Sequence, residues 1–114
     1  MSILNNIDHK QALLLKEQVA YVEGQVVSKT LVQNNGLGIT LFAFAKGEGV
    51  STHESKGDAL VTALEGAGVI TIDDTVYNLK EGESIVMPAR HPHSVYAAKD
   101  KGFKMLLVVA FPEA

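Results

Sequence analysis

The sequence contains no cysteine among its 114 residues. Disulfides, thiolate zinc sites, cysteine-held iron–sulfur clusters and cysteine nucleophiles are therefore excluded. Long apolar runs are also missing, since no stretch approaches the roughly 20 apolar residues that a membrane helix needs, and we expect no membrane partner. The N-terminal residues carry neither a basic segment ahead of their apolar positions nor a small-residue cleavage site, which predicts a mature, cytoplasmic protein.

Clustered basic residues are missing too. The 10 Lys and Arg residues are scattered singly, and the formal net charge is −3. Because nucleic-acid binding needs a basic patch on one face, no nucleic-acid partner is expected. The chain also lacks a Rossmann glycine fingerprint and a phosphate-binding loop, so no organic cofactor is expected either.

Short β-strands dominate what is present. The alternation of apolar residues and the turn signals predict strands at 19–22, 25–33, 38–46, 59–65, 68–73, 75–79, 84–88, 93–98 and 103–111. This spacing, with no helical stretch in between, indicates an all-β, antiparallel sandwich or barrel. Residues 1–18 form an N-terminal segment and residues 19–114 a single barrel domain, as expected for a chain of this length.

Two further expectations come from apolar residues. Residues 8–15 are compatible with a short N-terminal helix capped by Asp8 and Gln11, or with a loose segment. The strands at 38–46 and 103–111 are apolar on both faces, so each is expected to be covered twice, once by its own core and once by another sheet or a second subunit. We therefore expect a homodimer.

Two histidines follow similar patterns of glycine, apolar residues and a corner. His53 lies in Gly47–Gly66 (GEGVSTHESKGDALVTALEG), and His93 lies in Gly82–Ala97 (GESIVMPARHPHSVYA). We expect the two imidazoles to converge inside one barrel, less than about 8 Å apart if they share an ion or a water molecule.

These two stretches resemble the two motifs of the cupin superfamily, whose members are antiparallel double-stranded β-helix (jelly-roll) barrels, and the resemblance covers residues 38–111. Glycines and histidines match at Gly47, His53, Gly66, Gly82 and His93, and the proline matches at Pro88. The family's second histidine falls on Ser55, its glutamate on Ala59, its second-motif glycine on Arg90 and its asparagine on Ala97. The fold markers are thus present, whereas half of the metal ligands are replaced.

The resemblance implies one divalent transition metal (Mn, Fe, Ni, Cu or Zn) held by His53 and His93. Two ligands are fewer than the three that catalytic metal sites usually have. His91 lies two residues before His93 and is the best candidate for a third ligand, although Pro92 bends the chain between them. Asp58 would point the other way in a regular strand.

Ser55 and Arg90 complete the candidate ligand-binding set with the three histidines. Residues two apart on a strand share a face, so Ser55 is expected to face the interior with His53. Arg90 is either a guanidinium at the barrel mouth that binds a carboxylate or phosphate, or a solvated turn residue. A left-handed backbone there would cost on the order of 1 kcal/mol.

Three interpretations of function follow. The first is an internal small-molecule pocket centred on His53 and His93, with metal chemistry if an ion is bound or acid–base chemistry without one. The second is a non-catalytic ligand-binding or sensor module that has lost its metal. The third is a protein–protein or assembly module.

Overall fold

The computed structural model describes residues 2–112 and consists mainly of antiparallel β-strands. The strands in this range are β1 (Val26–Gln33), β2 (Leu37–Phe44), β3 (Gly49–His53), β4 (Asp58–Ile72), β5 (Thr75–Lys80), β6 (Ser84–Met87), β7 (His93–Ala97) and β8 (Phe103–Ala110). The strand order is β1-β2-β8-β4-β7-β3, and β5 and β6 also pair with β4. The predicted all-β barrel is confirmed. The outer limits of the two predicted domains, residues 1 and 114, lie outside the described residues.

The long strand β4 holds the two sides of the barrel together. Its first half, 58–66, pairs with β6 and β8, and its second half, 67–72, pairs with β5 and β7. The prediction of two separate strands at 59–65 and 68–73 was wrong at this point. Gly66 has a φ of 78° and bends one continuous strand instead of ending it. A β-carbon at Gly66 would collide with the carbonyl oxygen of Gly102, so the bend requires glycine.

Other local predictions also differ from the structure. The strand predicted at 19–22 is absent, and residues 49–53, for which no strand was predicted, form β3. The N-terminal helix is absent from the described residues, where the only helical turn is a 3-10 turn at Leu15–Glu17. Lys10 has a φ of 61°, which is incompatible with a right-handed helix through 8–15. The loose-segment alternative describes residues 8–14.

The N-terminal segment is fastened to the barrel by polar contacts. The backbone N–H of Asn5 donates to the carbonyl of Leu31 at 2.7 Å. Lys104 Nζ donates to the carbonyl of Lys16 at 2.7 Å and lies 3.8 Å from Glu65 Oε2. Burial, together with the hydrogen bond that its hydroxyl donates to Glu65, raises the pKa of Tyr21. The segment is thus tied to strands β1 and β8.

The barrel has a core inside and a second apolar cluster outside. The inner core includes residues with no exposed surface, namely Phe44, Val61, Ile70 and Phe103. The outer cluster buries Val19, Leu31, Leu41 and Ala43, with Ile7 and Leu15 packed against them. Strand β2 is therefore covered on both faces, as expected, but part of its outer cover is the N-terminal segment instead of the predicted second sheet or subunit. Burying each large apolar side chain contributes about 1.5–3 kcal/mol.

Beyond that cover, an apolar row crosses the outer face of the sheet. Ile39, Val108, Leu60 and Val86 are successive pairing partners on β2, β8, β4 and β6. Leu60 is 41% exposed and Val86 is 52% exposed. The homodimer stays a prediction, and this row is the surface that would serve it.

None of the helical structure within residues 2–112 is long and apolar enough to cross a membrane.

Candidate functional site

Pairing of β3 with β7 brings the two motif histidines together. His53 ends β3 and lies opposite His93, which begins β7. Their Nε2 atoms are 3.2 Å apart and their ring centroids 4.4 Å apart, with an angle of 72° between the ring planes. Directly opposed residues of an antiparallel pair project to the same face, which explains this approach by residues 40 positions apart.

A cavity of about 280 Å³ adjoins the histidine pair. Its walls come from inward-facing residues of several strands and a loop: Phe42, Phe44, Val50, His53, Glu54, Ser55, Ala59, Met87, His93, Val95, Met105, Leu107 and Val109. Nine of these thirteen side chains are apolar or aromatic, and the polar ones are the two histidines, Glu54 and Ser55. His93 is only 2% exposed, whereas His53 is exposed. The pair therefore forms a polar end that reaches from solvent to the interior.

Hydrogen bonds to backbone carbonyls indicate which nitrogen of each ring carries a proton. His53 Nδ1 lies 2.9 Å from the carbonyl oxygen of Ser51, and His93 Nδ1 lies 3.1 Å from that of His91. A carbonyl oxygen only accepts, so each Nδ1 donates and carries a proton. In the neutral form of each ring, Nε2 is then an unprotonated acceptor. The two Nε2 lone pairs face each other unless a proton or another donor lies between them.

The environment of His93 favours its neutral form. Burial lowers the pKa of His93 below the usual 6.5, and the nearby His53 imidazole lowers it further. The hydrogen bond to the carbonyl of His91 and the charge of Glu54 oppose this effect without overcoming it. At neutral pH, His93 thus presents an acceptor nitrogen to His53.

The structure places His91 away from the pair. Its Nδ1 lies 2.8 Å from Asp73 Oδ2 on the outside of the barrel, and its side chain is 48% exposed. The Asp73 backbone N–H also donates to the carbonyl of Pro92 at 2.9 Å. The expected third ligand thus contributes its backbone carbonyl, which holds His93, instead of its imidazole. Asp73 was not identified from the sequence, because no local pattern indicates its pairing with a residue 18 positions away.

Ser55 and Arg90 have unequal positions. Ser55 lines the cavity, and its Oγ accepts a hydrogen bond from the Gly57 N–H at 3.1 Å. Arg90 is exposed, and its side chain is not among those that line the cavity. Its backbone has a φ of 65°, so the left-handed turn is kept despite a cost of about 1–2 kcal/mol. The Arg90 N–H donates to the Ser55 carbonyl at 2.8 Å, joining the two loops at the mouth.

The residues present do not fit a resident metal ion. Two nitrogens bound tetrahedrally at about 2.0–2.1 Å from one ion would lie roughly 3.3–3.4 Å apart, which is close to the observed Nε2 separation. The number of donors is the obstacle, because residues 2–112 contain no group of three or more His, Cys, Asp or Glu side chains that could hold an ion. Ala59 is buried in the cavity wall without a donor, and Asp58 Oδ1 accepts from the Ala89 N–H at 2.8 Å.

Sequence comparison gives a family and no activity. The family model described as "Cupin domain" matches residues 40–109. No curated protein matches the chain at a significant level.

Several solved structures resemble most or all of the chain. A conserved protein of unknown function from Streptococcus pyogenes is 49% identical, with a TM-score of 0.95 over 100% of this chain and 98% of that one. A cupin superfamily protein from Desulfitobacterium hafniense is 35% identical, with a TM-score of 0.90 over 97% and 100%. A cupin 2 conserved barrel domain protein from Leptotrichia buccalis is 45% identical, with a TM-score of 0.81 over 83% of this chain and 45% of that one. With the family model matching more than half of its residues, the chain belongs to the cupin superfamily.

Proposed function

We propose that this protein binds a small, largely apolar molecule inside the barrel, with His53 and His93 as the polar end of the site. The observation that carries the proposal is the convergence of two Nε2 atoms, 3.2 Å apart, at the end of an apolar cavity of about 280 Å³. Ligand sites are typically concave and apolar with a few convergent polar groups, and this cavity has that character.

A larger depression of about 470 Å³ lies near Tyr21 and Gly102, at a different place on the surface. It is the more open of the two, and its lining mixes glutamates, a lysine and glycines. It is lined by three charged side chains, whereas the lining of the cavity at the histidines is mostly large apolar side chains. The cavity at the histidines is therefore the better supported ligand site.

The metal-ligating atoms available in the cavity favour ligand binding without a resident metal ion. The cavity wall supplies two imidazole nitrogens, and Ala59 replaces the carboxylate that the family resemblance implies. A binding or sensor module is consistent with these features. General acid–base catalysis is the second candidate, because a neutral His93 imidazole facing a bound molecule could accept a proton.

Protein purified without an affinity tag provides the test. We expect native mass spectrometry to detect a bound small molecule and metal analysis to find clearly substoichiometric Mn, Fe, Ni, Cu and Zn. His53→Ala and His93→Ala should lose the bound molecule, whereas His9→Ala, on the exposed N-terminal segment, should retain it. Undiminished uptake by both site variants would refute the site, and a stoichiometric metal removed by both substitutions would favour a metalloprotein instead.

A further inference from the structure

We infer that the ligand carries an uncharged hydrogen-bond donor, such as a hydroxyl or phenol, on a compact apolar body, and that carboxylates are disfavoured. This inference rests on the proposed function and specifies the chemical class of its ligand. The inference follows from the positions of the protons on the two histidines, the charges of the residues that line the cavity, and the volume of the cavity.

The first step concerns hydrogen-bond polarity. Both Nδ1 atoms donate to backbone carbonyls, of Ser51 and of His91, so neither ring turns an Nδ1 proton toward the cavity. Two Nε2 acceptors remain, 3.2 Å apart, with their lone pairs toward each other when both rings are neutral. Of the two, the Nε2 of His93 belongs to a side chain that is only 2% exposed, and a buried acceptor without a donor costs about 1–3 kcal/mol. A ligand that brings a donor removes that cost, whereas a ligand without one leaves it in place.

The second step concerns charge. The cavity lining contains no Lys or Arg, and its one carboxylate belongs to Glu54. A bound carboxylate would meet two imidazole lone pairs and a residue of its own sign. Ser55 supplies the one hydroxyl of the lining, and a single neutral donor does not offset the desolvation of an anion. Arg90, which the sequence suggested as an anion ligand, is not part of the lining.

The third step concerns size and shape. The volume of about 280 Å³ lies just below the range of roughly 300–1,000 Å³ typical of sites for drug-sized ligands. The apolar lining includes Phe42, Phe44, Met87 and Met105. Aromatic rings and methionine sulfur pack well against another ring. A single substituted ring with one donor therefore matches the cavity in volume and chemistry.

Three probes of similar shape separate these effects: 4-ethylphenol, 4-ethyltoluene and 4-ethylbenzoate. At pH 8 the phenol is neutral, since phenolic groups titrate near 10, and the benzoate is ionised. Affinities are measured by amide chemical-shift titration, following the resonances of residues that line the cavity. We expect 4-ethylphenol to bind at least tenfold more tightly than either of the other two. In the double variant His53→Phe/His93→Phe, which keeps both rings and removes both Nε2 acceptors, the preference over 4-ethyltoluene should fall to less than threefold.

The outcomes distinguish this inference from the proposed function. If 4-ethyltoluene binds at the cavity as tightly as 4-ethylphenol, or 4-ethylbenzoate binds most tightly, the ligand class is wrong while the cavity remains a binding site. An unchanged phenol preference in the double variant His53→Phe/His93→Phe also overturns the inference. If none of the three probes shifts the cavity resonances, both the ligand class and the proposed site are refuted.

Discussion

Replacement of Gly66 by alanine should destabilise the barrel far more than the same change at Gly24. Both glycines have a positive φ, 78° at Gly66 and 73° at Gly24, so each substitution incurs backbone strain of about 1–2 kcal/mol. They differ in the space available to a β-carbon. At Gly24 no atom beyond the two adjacent residues lies within 4 Å of that position, whereas at Gly66 the new atom would overlap the Gly102 carbonyl. That carbonyl belongs to the backbone, so it cannot move aside as a side chain could.

Overpacking of this kind typically adds about 1–3 kcal/mol. The expected loss is therefore about 2–5 kcal/mol for Gly66→Ala and about 1–2 kcal/mol for Gly24→Ala, measured as the free energy of unfolding in urea. Because the bend at Gly66 lets β4 pair with β8 on one side and β7 on the other, the substitution should also broaden the amide resonances of His93. Equal losses for the two variants would refute the proposed role of the bend.

Three further predictions concern pH, assembly and the N-terminal segment. The folded-state pKa of His93 lies below its unfolded value of about 6.5, so stability should be intact above about pH 6.5 and fall as the pH drops toward the folded pKa, where the unfolded chain binds more protons. Urea titrations should show a shallower fall of stability with pH in His93→Gln, and an unchanged slope would contradict the assignment. If the apolar row mediates a homodimer, light scattering should show a dimer that dissociates in Val86→Lys but persists in the control Val76→Lys, whose native side chain on β5 is 57% exposed. A wild-type monomer at micromolar concentration would reject the dimer. Lys104→Met should lower the free energy of unfolding by about 1–3 kcal/mol, because it leaves the carbonyl of Lys16 without its donor and removes the ion pair with Glu65. A loss near zero in thermal unfolding would show that this contact does not fasten the N-terminal segment.

The sequence was sufficient to predict the β-barrel and the close approach of the two histidine side chains. Gly47, Gly66 and Gly82 all have positive φ, so these glycines are backbone requirements that a motif can reveal. His53 and His93 stand at strand ends where the register of β3 and β7 aligns them. Spacing along each strand, combined with the family resemblance, carried that information.

Features that depend on distant contacts were not predictable in the same way. A turn and a bend both use a glycine with positive φ, so Gly66 alone did not show that β4 continues. The apolar face of β2 indicated that something covers it, but not that Leu15 and Val19 do so. His91 looked like a ligand because it lies two residues from His93, yet Asp73 holds its imidazole outside.

The same non-local contacts affect how the histidine substitutions should behave. His93 is 2% exposed and its Nδ1 satisfies the carbonyl of His91, so His93→Ala should be the more costly of the two. Exposed His53 should tolerate alanine with little loss of stability.

The most direct measurement of the central claim is the position of the protons on the two imidazoles, obtained from long-range proton–nitrogen NMR correlations of the ligand-free protein at pH 8. In each ring the proton should be on Nδ1, which leaves Nε2 as the acceptor available to a ligand at the end of the cavity. A proton on Nε2 of either ring in the neutral state would contradict the hydrogen bonds to the carbonyls of Ser51 and His91, and with them the account of how this site recognises its ligand.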